Sequence, residues 1–235
     1  MKDEVAVLLA AGLGTRMMPL TDKTPKPLIK IFGKPMIETV IEGLIIRGVR
    51  HIYVVVGYKA EQFEYLVRKY KNLSLVYNPE YKDVNNISSI KAVIPYIRDS
   101  DCFICEADLY VFDTSIFRAE LLSSCYYGIM VKGRSDDWVL EQDISGRIIR
   151  VGKRGTDCYN TCGLSWFLNS DIKVVFSAIN EKYKHPGTYE QLFWDDVLNE
   201  KLSDMNIKVH EVDRNQVVEF DSVADICKID SSYIL

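Results

Sequence analysis

The sequence predicts an α/β fold built on a mostly parallel β-sheet, and three observations lead to this prediction. Short apolar strands alternate with amphipathic helical segments through the first half of the chain, which is typical of βαβ units. Glycines or acidic residues directly follow several strands, where parallel sheets place their ligand sites. The 235 residues, 48% of them hydrophobic, suffice to bury one large core without disulfides or metals.

The elements of the first half follow in order. Residues 4–10 are almost wholly apolar and predict a buried first strand. Residues 36–47 carry apolar side chains at helical spacing and end at Gly48, which is a helix stop signal. Further strands are predicted at 52–56, 73–77 and 102–106, and further helices at 60–70 and 87–97.

The second half is less regular, and its elements are predicted from shorter patterns. Some of its strands are expected to form hairpins. The predicted strands are 126–131, 139–142, 148–151, 163–167 and 207–212, and the predicted helices are 172–181, 191–201 and 222–229, with Ser222 as the last N-cap.

The composition excludes several classes of protein. Basic and acidic residues give a net charge of 29 − 33 = −4, whereas a protein that coats DNA or RNA is expected to be basic. No apolar run approaches the roughly 20 residues of a membrane span, and the start lacks the shape of a signal peptide. We therefore expect no nucleic-acid polymer and no membrane among its partners. The sequence fits a whole protein as well as one module of a longer fusion chain.

Six cysteines include the pair Cys102-x-x-Cys105, a spacing that zinc and redox sites also use. Both lie in the predicted strand 102–106, where side chains three positions apart point to opposite faces of the sheet. We therefore expect reduced, structural thiols and a cytoplasmic protein.

Charge is unevenly distributed along the chain. Residues 11–34 hold five bases and one acid, a balance of 5 − 1 = +4, whereas residues 186–235 hold four bases and eleven acids, a balance of 4 − 11 = −7. Two solvated surfaces of opposite sign are one interpretation. An anion site near the start and a cation site near the end are the other.

A glycine-rich loop follows the first strand, in the segment Leu9-Ala-Ala-Gly-Leu-Gly-Thr-Arg16. Its two glycines let backbone N–H groups approach an anion closely, and Arg16 can bind a phosphate with two hydrogen bonds. Lys26 lies between two prolines, which restrict the position of its amine. The segment is neither a P-loop nor the dinucleotide fingerprint, because it lacks Gly-Lys-Ser/Thr and a third glycine.

Together with the continuation Met17-Met-Pro-Leu-Thr-Asp-Lys-Thr-Pro-Lys-Pro-Leu28, this loop closely resembles the signature of the nucleotidyltransferases that activate sugar phosphates and related small phosphates. The resemblance continues through Gly33-Lys-Pro-Met36, Gly57 and Glu106-Ala-Asp108. It implies a dinucleotide-binding-type mixed, mostly parallel sheet flanked by helices, with a small substrate-side sheet insertion. It also implies a single nucleotidyltransferase domain, with a nucleotide-binding half at 1–125 and an acceptor-binding half, carrying the second metal-ligand segment, at 126–235.

The same resemblance assigns the nucleotide site. It implies that Arg16 and Lys26 are catalytic, since the loop backbone and Arg16 would hold a triphosphate and Lys26 would neutralise its α-phosphate. An acceptor phosphate would attack the α-phosphorus directly, so no protein nucleophile is required and the three histidines receive no role. The nucleotide-binding residues are expected to be Leu9, Ala10, Ala11, Gly12, Gly14, Thr15, Gly57, Tyr81, Asn86 and Ser89.

Three carboxylates near two strand ends are candidate ligands of Mg²⁺. Asp108 follows the strand 102–106, and Glu219 and Asp221 face the same way if their segment is extended. A purely structural alternative is that Asp221 caps the final helix and Glu219 pairs with a lysine. The resemblance favours the Mg²⁺ site, most directly at Asp108 and Asp221.

The segment 78–89 is rich in Asn and Ser, where sugar nucleotidyltransferases tend to carry Gln and Gly. Short polar groups suit the edge of a base, although Asn85 could also serve as the cap of helix 87–97. The pattern Tyr-x-x-x-Asn-Asn-x-x-Ser resembles the bacterial phosphocholine cytidylyltransferases, as do the segments 137–138, 192–195 and 219–223. This favours CTP as the donor.

The acceptor site is predicted from the same subgroup. A quaternary ammonium binds well in an aromatic cage, whereas a primary ammonium needs hydrogen-bond acceptors more than aromatic walls. Residues 129–133 lack the aromatics expected beside a choline cage, so 2-aminoethylphosphonate competes with phosphocholine as the acceptor. The candidates are Trp138, Trp194 and Tyr159 as walls, Asp137 and Asp195 as charges and Lys153 for the acceptor phosphate, while Trp166 is predicted to be core.

These inferences lead to a Mg²⁺-dependent cytidylyltransferase that moves CMP from CTP to a small amine-bearing phosphate or phosphonate and releases pyrophosphate. Phosphocholine, giving CDP-choline, is the leading acceptor, and 2-aminoethylphosphonate, giving CMP-2-aminoethylphosphonate, is the alternative. A sugar-1-phosphate nucleotidyltransferase is disfavoured by the Asn and Ser loop and the short second half. A catalytically inactive nucleotide-binding regulator is disfavoured because Lys26, Asp108 and Asp221 are all present.

Overall fold

The strands of the computed structural model, which describes residues 3–233, form one large sheet and two small ones. They are β1 (Glu4–Ala10), β2 (Lys30–Ile31), β3 (Lys34–Pro35), β4 (His51–Val56), β5 (Leu73–Tyr77), β6 (Asp101–Glu106), β7 (Leu109–Val111), β8 (Cys125–Gln142), β9 (Ile148–Phe167), β10 (Lys208–Glu211) and β11 (Val217–Glu219). The large sheet has the order β10-β8-β9-β6-β1-β4-β5, while β2 pairs with β3 and β7 with β11.

Helices cover both faces of the large sheet. They are α1 (Met36–Arg47), α2 (Glu64–Lys69), α3 (Ile87–Val93), α4 (Asn169–Lys182), α5 (Trp194–Asn199) and α6 (Val223–Ile229). Apolar residues of α1 and α2 pack on one face, and those of α3, α4 and α5 pack on the other. The second and third helices are shorter than predicted, because 3-10 turns occupy residues 60–63 and 94–96, the latter around a proline.

The strand directions confirm the predicted mixed, mostly parallel sheet. Strand β1 runs parallel to β4 and β6, and β4 runs parallel to β5. Strand β9 is antiparallel to both β6 and β8, and β10 is parallel to β8. The carboxyl ends of β1, β4, β5 and β6 therefore meet at one edge, which is where such sheets bind ligands.

Side-chain alternation along the central strands divides the core into two layers. Cys102 packs into the cluster around α3 and α4, whereas Cys105 packs into the cluster around α1 and α2. This confirms that the two thiols diverge, and all six cysteines are unpaired. Trp166 has 0% exposure and is a core residue as predicted.

The insertion of the second half consists of β8 and β9, which are 18 and 20 residues long. Leu140 of β8 pairs with both Val151 and Tyr159 of β9. Each of the two long strands therefore bends, and the hairpin contains four short strand segments that lie side by side. The predicted segments 126–131, 139–142, 148–151 and 163–167 are parts of these two strands. Register shifts and positive φ angles at Arg154 and Asp157 interrupt the alternation from which a long strand would be predicted.

A third, smaller cluster joins the loop after β1 to the end of the chain. Met17 and Met36 pack there with Phe220 and Ile226, each of them fully buried. Helix α6 begins at a capping box in which Ser222 accepts from the Asp225 N–H group, which confirms the predicted cap. Within residues 3–233, no helix is long and apolar enough to cross a membrane.

Candidate active site

A cavity of about 940 Å³ opens at the carboxyl ends of β1, β5 and β6, a size that suits a nucleotide and a small second ligand. Gly57 and Tyr159 do not line it, and neither does any of the three histidines. The predicted site residues that line it are Leu9, Ala10, Ala11, Gly12, Gly14, Thr15, Arg16, Lys26, Tyr81, Asn86, Ser89, Asp108, Asp137, Trp138, Lys153, Trp194, Asp195, Glu219 and Asp221.

Gly14, in the loop after β1, allows the segment that carries Lys26 to pack closely against this loop at the cavity. Gly14 has φ +64°, and a Cβ atom there would lie 3.0 Å from Thr21 Cγ2 and 3.1 Å from Lys26 Cβ. The Thr21 hydroxyl donates to the Gly14 carbonyl oxygen at 3.0 Å. A side chain at position 14 would therefore strain the turn and push the lysine segment away.

Gly57 packs against the loop that follows β1. A Cβ atom at this position would lie 2.5 Å from Tyr81 Cγ and 2.9 Å from the Ala11 carbonyl oxygen. The next residue, Tyr58, donates its N–H group to the same oxygen at 3.1 Å. Gly57 therefore lies beneath the loop, where the absence of a side chain leaves room for the Tyr81 side chain and the Ala11 carbonyl oxygen.

Lys26 lies at the centre of the candidate metal ligands. Its Nζ atom is 2.6 Å from Asp108 Oδ2, 3.2 Å from Asp221 Oδ1 and 3.9 Å from Glu219 Oε1. Burial lowers the pKa of Lys26, but the charge and hydrogen bond of Asp108 and the two further carboxylates outweigh it and raise the pKa. Lys26 is therefore a permanent cation inside an anionic pocket.

Arg16 extends this cluster toward solvent. Its guanidinium group binds Asp221 with two contacts, at 2.9 Å and 2.8 Å. The basic segment 11–34 and the acidic end of the chain, separated by about 200 positions, thus meet directly. The two segments therefore form one cluster of ion pairs and are not two separate solvated surfaces.

The carboxylates have the donor set that Mg²⁺ prefers. The Oδ1 atom of Asp108 is buried without a hydrogen-bond partner, so it has capacity for a cation. Desolvation and the charge of Asp108 raise the pKa of Glu219, which a bound cation would reverse. No three carboxylate, histidine or cysteine groups of residues 3–233 form a metal cage on their own. The arrangement therefore fits an ion held by one or two carboxylates together with phosphate oxygens.

The end of the cavity that is lined by Tyr126 and Asp195 combines carboxyl groups with aromatic rings. The Tyr126 hydroxyl donates to Asp195 Oδ1 at 2.6 Å. Burial raises the pKa of Asp195 to about 7, so this carboxyl group changes charge near neutral pH. Glu106 also lines this space, and burial followed by the charges of Asp108 and Glu219 raises its pKa.

The faces of the predicted aromatic walls are largely covered. Trp194 is only 3% exposed and stacks on Tyr126 with ring centroids 5.9 Å apart and an interplanar angle of 6°. Trp138 contacts Phe193 edge to face, and Lys153 Nζ lies over the Trp138 ring at 5.9 Å.

The placement of Tyr159 as a third wall needs correction. Tyr159 is not among the residues that line the cavity, and its hydroxyl donates to Glu211 Oε2 on β10 at 2.8 Å. The bent register of β9 turns this side chain toward the edge strand instead of the cavity. The three rings therefore do not enclose one space.

Hydrogen bonds hold the loop 78–89 in place, both within the loop and to the backbone of Trp194. Asn78 Nδ2 donates to the hydroxyls of Ser88 and Ser89 at 2.8 Å and 3.2 Å. Asn86 Oδ1 accepts from the Trp194 N–H group at 3.0 Å. Neither Asn85 nor Asn86 caps α3 with its side chain, so the capping interpretation of Asn85 is wrong.

The predicted site omits several residues that line the cavity, among them Asn78, Glu106 and Tyr126. Asn78 and Glu106 lie at the carboxyl ends of β5 and β6, and the strand-end rule that points to Gly57 and to the segment 106–108 applies to both. Tyr126 lies near the start of β8, and nothing local in the sequence distinguishes it from a core tyrosine.

The chain is similar to known proteins over nearly its whole length. Residues 5–120 match the nucleotidyl transferase family. The 2-aminoethylphosphonate cytidylyltransferase of Lancefieldella rimae is 48% identical over 229 residues, covering 97% of this chain and 93% of that protein. The choline-phosphate cytidylyltransferase of Streptococcus pneumoniae is 34% identical over 227 residues, covering 96% of each.

A solved structure gives the same result for the fold. The CTP:phosphocholine cytidylyltransferase of Streptococcus pneumoniae, LicC, matches with a TM-score of 0.88 at 32% sequence identity. The match covers 98% of this chain and 99% of that chain. It confirms the predicted fold class, including the sheet insertion of the second half.

Proposed function

Because this chain belongs to the nucleotidyl transferase family and is a cytidylyltransferase, we propose that it transfers CMP from CTP to 2-aminoethylphosphonate and releases pyrophosphate. The sequence alone placed phosphocholine first and this phosphonate second. The 48% identity to a 2-aminoethylphosphonate enzyme, against 34% to a choline-phosphate enzyme, favours the opposite order.

The acceptor end of the cavity is the observation that carries this proposal. A trimethylammonium group needs open aromatic faces, but Trp194 is stacked on Tyr126 and Lys153 lies over Trp138. A primary ammonium needs hydrogen-bond acceptors, and the carboxyl groups of Asp195 and Glu106 line the same space. The chemistry of the described side chains thus suits –NH₃⁺ better than –N(CH₃)₃⁺.

The reaction follows from positioning and charge. A phosphonate oxygen of the acceptor forms a bond to the α-phosphorus of CTP, while the bond from that phosphorus to the α,β-bridging oxygen breaks and pyrophosphate leaves with the electron pair. Arg16 binds the triphosphate and Lys26 neutralises the α-phosphate, since both cations already point into the cavity. The loop 9–15 orients the nucleotide with its backbone N–H groups.

A divalent cation belongs to the same proposal. Asp108 and Asp221 would hold Mg²⁺, with Glu219 beside them. When bound there, Mg²⁺ would neutralise charge on the phosphate oxygens of CTP. Arg16 and Lys26 pair with these carboxylates and would turn to the triphosphate when the cation is bound.

A cytoplasmic location is also part of the proposal. All six cysteines are free thiols, and five of them are buried. Such thiols persist in a reducing compartment, where structural disulfides are rare.

Phosphocholine remains the second candidate acceptor. The partly exposed ring of Trp138 lines the cavity, and a methylated ammonium could displace the Lys153 side chain from that ring. This would use one aromatic wall instead of a cage.

A pyrophosphate-release assay tests the donor, the acceptor and the metal together. With Mg²⁺ present, we expect release from CTP plus 2-aminoethylphosphonate, and little from UTP or dTTP with the same acceptor. Omission of Mg²⁺ or addition of a chelator should abolish release, because carboxylates and phosphates then repel one another. Release only from UTP or dTTP with a sugar phosphate would contradict the proposal.

A further inference from the structure

We infer that Asn86 is a positioning residue for the acceptor end of the site and not a reader of the nucleotide base. The part of this inference that concerns the acceptor rests on the proposed function. The hydrogen bond on which it depends does not.

The side-chain oxygen of Asn86 accepts a hydrogen bond from a residue that is distant in sequence. It occupies the N-cap position of α3, where asparagine usually accepts from its own helix, yet its side chain makes no cap bond there. Its Oδ1 atom instead accepts from the backbone N–H group of Trp194, 108 positions along the chain, at 3.0 Å. The oxygen that a base-reading asparagine would offer to a cytosine amine is therefore already held by a backbone group of the acceptor end.

Two bonds from the neighbouring residue strengthen this connection. Asn85 donates its backbone N–H group to the Glu190 carbonyl oxygen at 2.9 Å and its Nδ2 group to the Gln191 carbonyl oxygen at 2.7 Å. Three hydrogen bonds thus join residues 85–86 to the segment 190–194.

The segment held in this way carries the acceptor end. Trp194 begins α5 and stacks on Tyr126, and Asp195 receives the Tyr126 hydroxyl. Phe193 contacts the Trp138 ring edge to face. Loss of the bond to the Trp194 N–H group would loosen the backbone at residues 193–195, from which these side chains extend.

The nucleotide side is held separately. Ser89, the predicted partner of the base, receives a hydrogen bond from Asn78, which is 1% exposed and belongs to the end of β5. Removal of the Asn86 side chain leaves that contact intact. Asn86 should therefore affect the acceptor much more than CTP.

Two substitutions separate the oxygen of Asn86 from its amide group. Asn86→Ala removes both, whereas Asn86→Asp keeps an oxygen for the Trp194 N–H group and removes the N–H donors. Hydrogen–deuterium exchange of the peptide that contains residue 194 reads the bond directly, without any substrate. Steady-state kinetics then compares the KM values of acceptor and CTP, with the exposed Asn215→Ala as the control.

If Asn86 positions the acceptor end, Asn86→Ala accelerates exchange at residue 194 and raises the acceptor KM about tenfold, while the KM for CTP stays within about twofold. Asn86→Asp and Asn215→Ala then retain slow exchange and an acceptor KM near that of the unaltered chain. The inference is overturned if both Asn86 variants raise the KM for CTP or change the preference for CTP over UTP while exchange at residue 194 stays slow.

These outcomes also separate the inference from the proposed function. If the unaltered chain used phosphocholine instead of the phosphonate, the same KM comparison would be made with phosphocholine. If Asn86→Ala did not fold, Asn86→Asp would still decide, because base reading through the amide predicts a loss of CTP binding and positioning through the oxygen predicts none.

Discussion

Contacts with its own chain hold the buried cation Lys26 in a defined position. It is 7% exposed, contacts Asp108 and Asp221 within 3.2 Å, and lies between two prolines. The neighbouring carboxylates outweigh burial and keep its pKa raised, so its charge does not depend on pH in the range where enzymes work. In the proposed function, these carboxylates would hold the metal ion and Lys26 would contact the α-phosphate of CTP.

Lys26→Ala should lower kcat with CTP by about a hundredfold or more, because it removes preorganised positive charge at the reacting phosphorus. The measurement is steady-state pyrophosphate release, with circular dichroism to verify the fold. Lys23→Ala, which removes an exposed lysine of the same segment, is the matched control and should leave kcat unchanged. Equal rates for Lys26→Ala and the control would exclude Lys26 from the mechanism.

The raised pKa of Asp195 predicts that acceptor binding depends on pH. Burial raises its pKa to about 7, so its carboxyl group is mostly neutral at lower pH and mostly anionic at higher pH. An anionic carboxylate attracts an ammonium group, so the acceptor KM should fall by about tenfold between about pH 6 and pH 8.

Asp195→Asn isolates this effect from the titration of the substrates themselves. The variant should have a higher acceptor KM above pH 7 and should retain only the pH dependence that arises from the phosphonate group. An identical pH profile for the variant and the unaltered chain would show that Asp195 does not titrate against the acceptor.

At the scale of elements, the third apolar cluster holds the two charged segments together. Phe220 is fully buried between the loop after β1 and α6, and its neighbour Asp221 carries the bidentate contact to Arg16. The β7–β11 pair fixes the preceding residue, Glu219, opposite Leu109. Apolar packing thus sets the distance between cations and carboxylates that are far apart in sequence.

Phe220→Ala should lower the free energy of unfolding by about 3 kcal/mol or more and weaken activation by Mg²⁺, because it leaves a cavity next to Asp221. Chemical denaturation and a Mg²⁺ titration of activity are the measurements. Ile229→Ala on the adjacent helix α6, where Ile229 is 40% exposed, should change both by much less. A normal Mg²⁺ response in a destabilised Phe220→Ala chain would contradict the link between this cluster and the proposed metal ligands.

Elements were predictable to different degrees, for physical reasons. Strand β1 and helix α1 follow from local periodicity and end signals, and both have the predicted bounds, 4–10 and 36–47. The hairpin β8–β9 was only partly predictable, since its pairing depends on bulges and on contacts between distant residues. Tyr159 was misplaced for this reason, because its direction is set by that register and not by its neighbours in sequence.

For the molecule as a whole, the net charge of −4 does not reveal that basic residues are concentrated at 11–34 and acidic residues at 186–235, two segments that the fold brings into contact. The basic segment and the acidic end meet in one cluster through Arg16, Lys26, Asp108 and Asp221. The glycine-rich loop and the carboxylates beside it could be predicted from motifs, because backbone turns and charge leave local signatures. Five of the six acceptor candidates also line the cavity, but the covered ring faces and the tyrosine–carboxylate bond could not be predicted, because they arise only from tertiary packing.

In the proposed function, the polar acceptor end selects a primary ammonium phosphonate over a quaternary ammonium phosphate. A competition measurement tests it most directly: limiting CTP is supplied with equal concentrations of 2-aminoethylphosphonate and phosphocholine, and ³¹P NMR quantifies both products. We predict that CMP-2-aminoethylphosphonate exceeds CDP-choline by about a hundredfold, because the site offers hydrogen-bond acceptors that a methylated ammonium cannot use. Equal amounts of the two products, or an excess of CDP-choline, would contradict the claim.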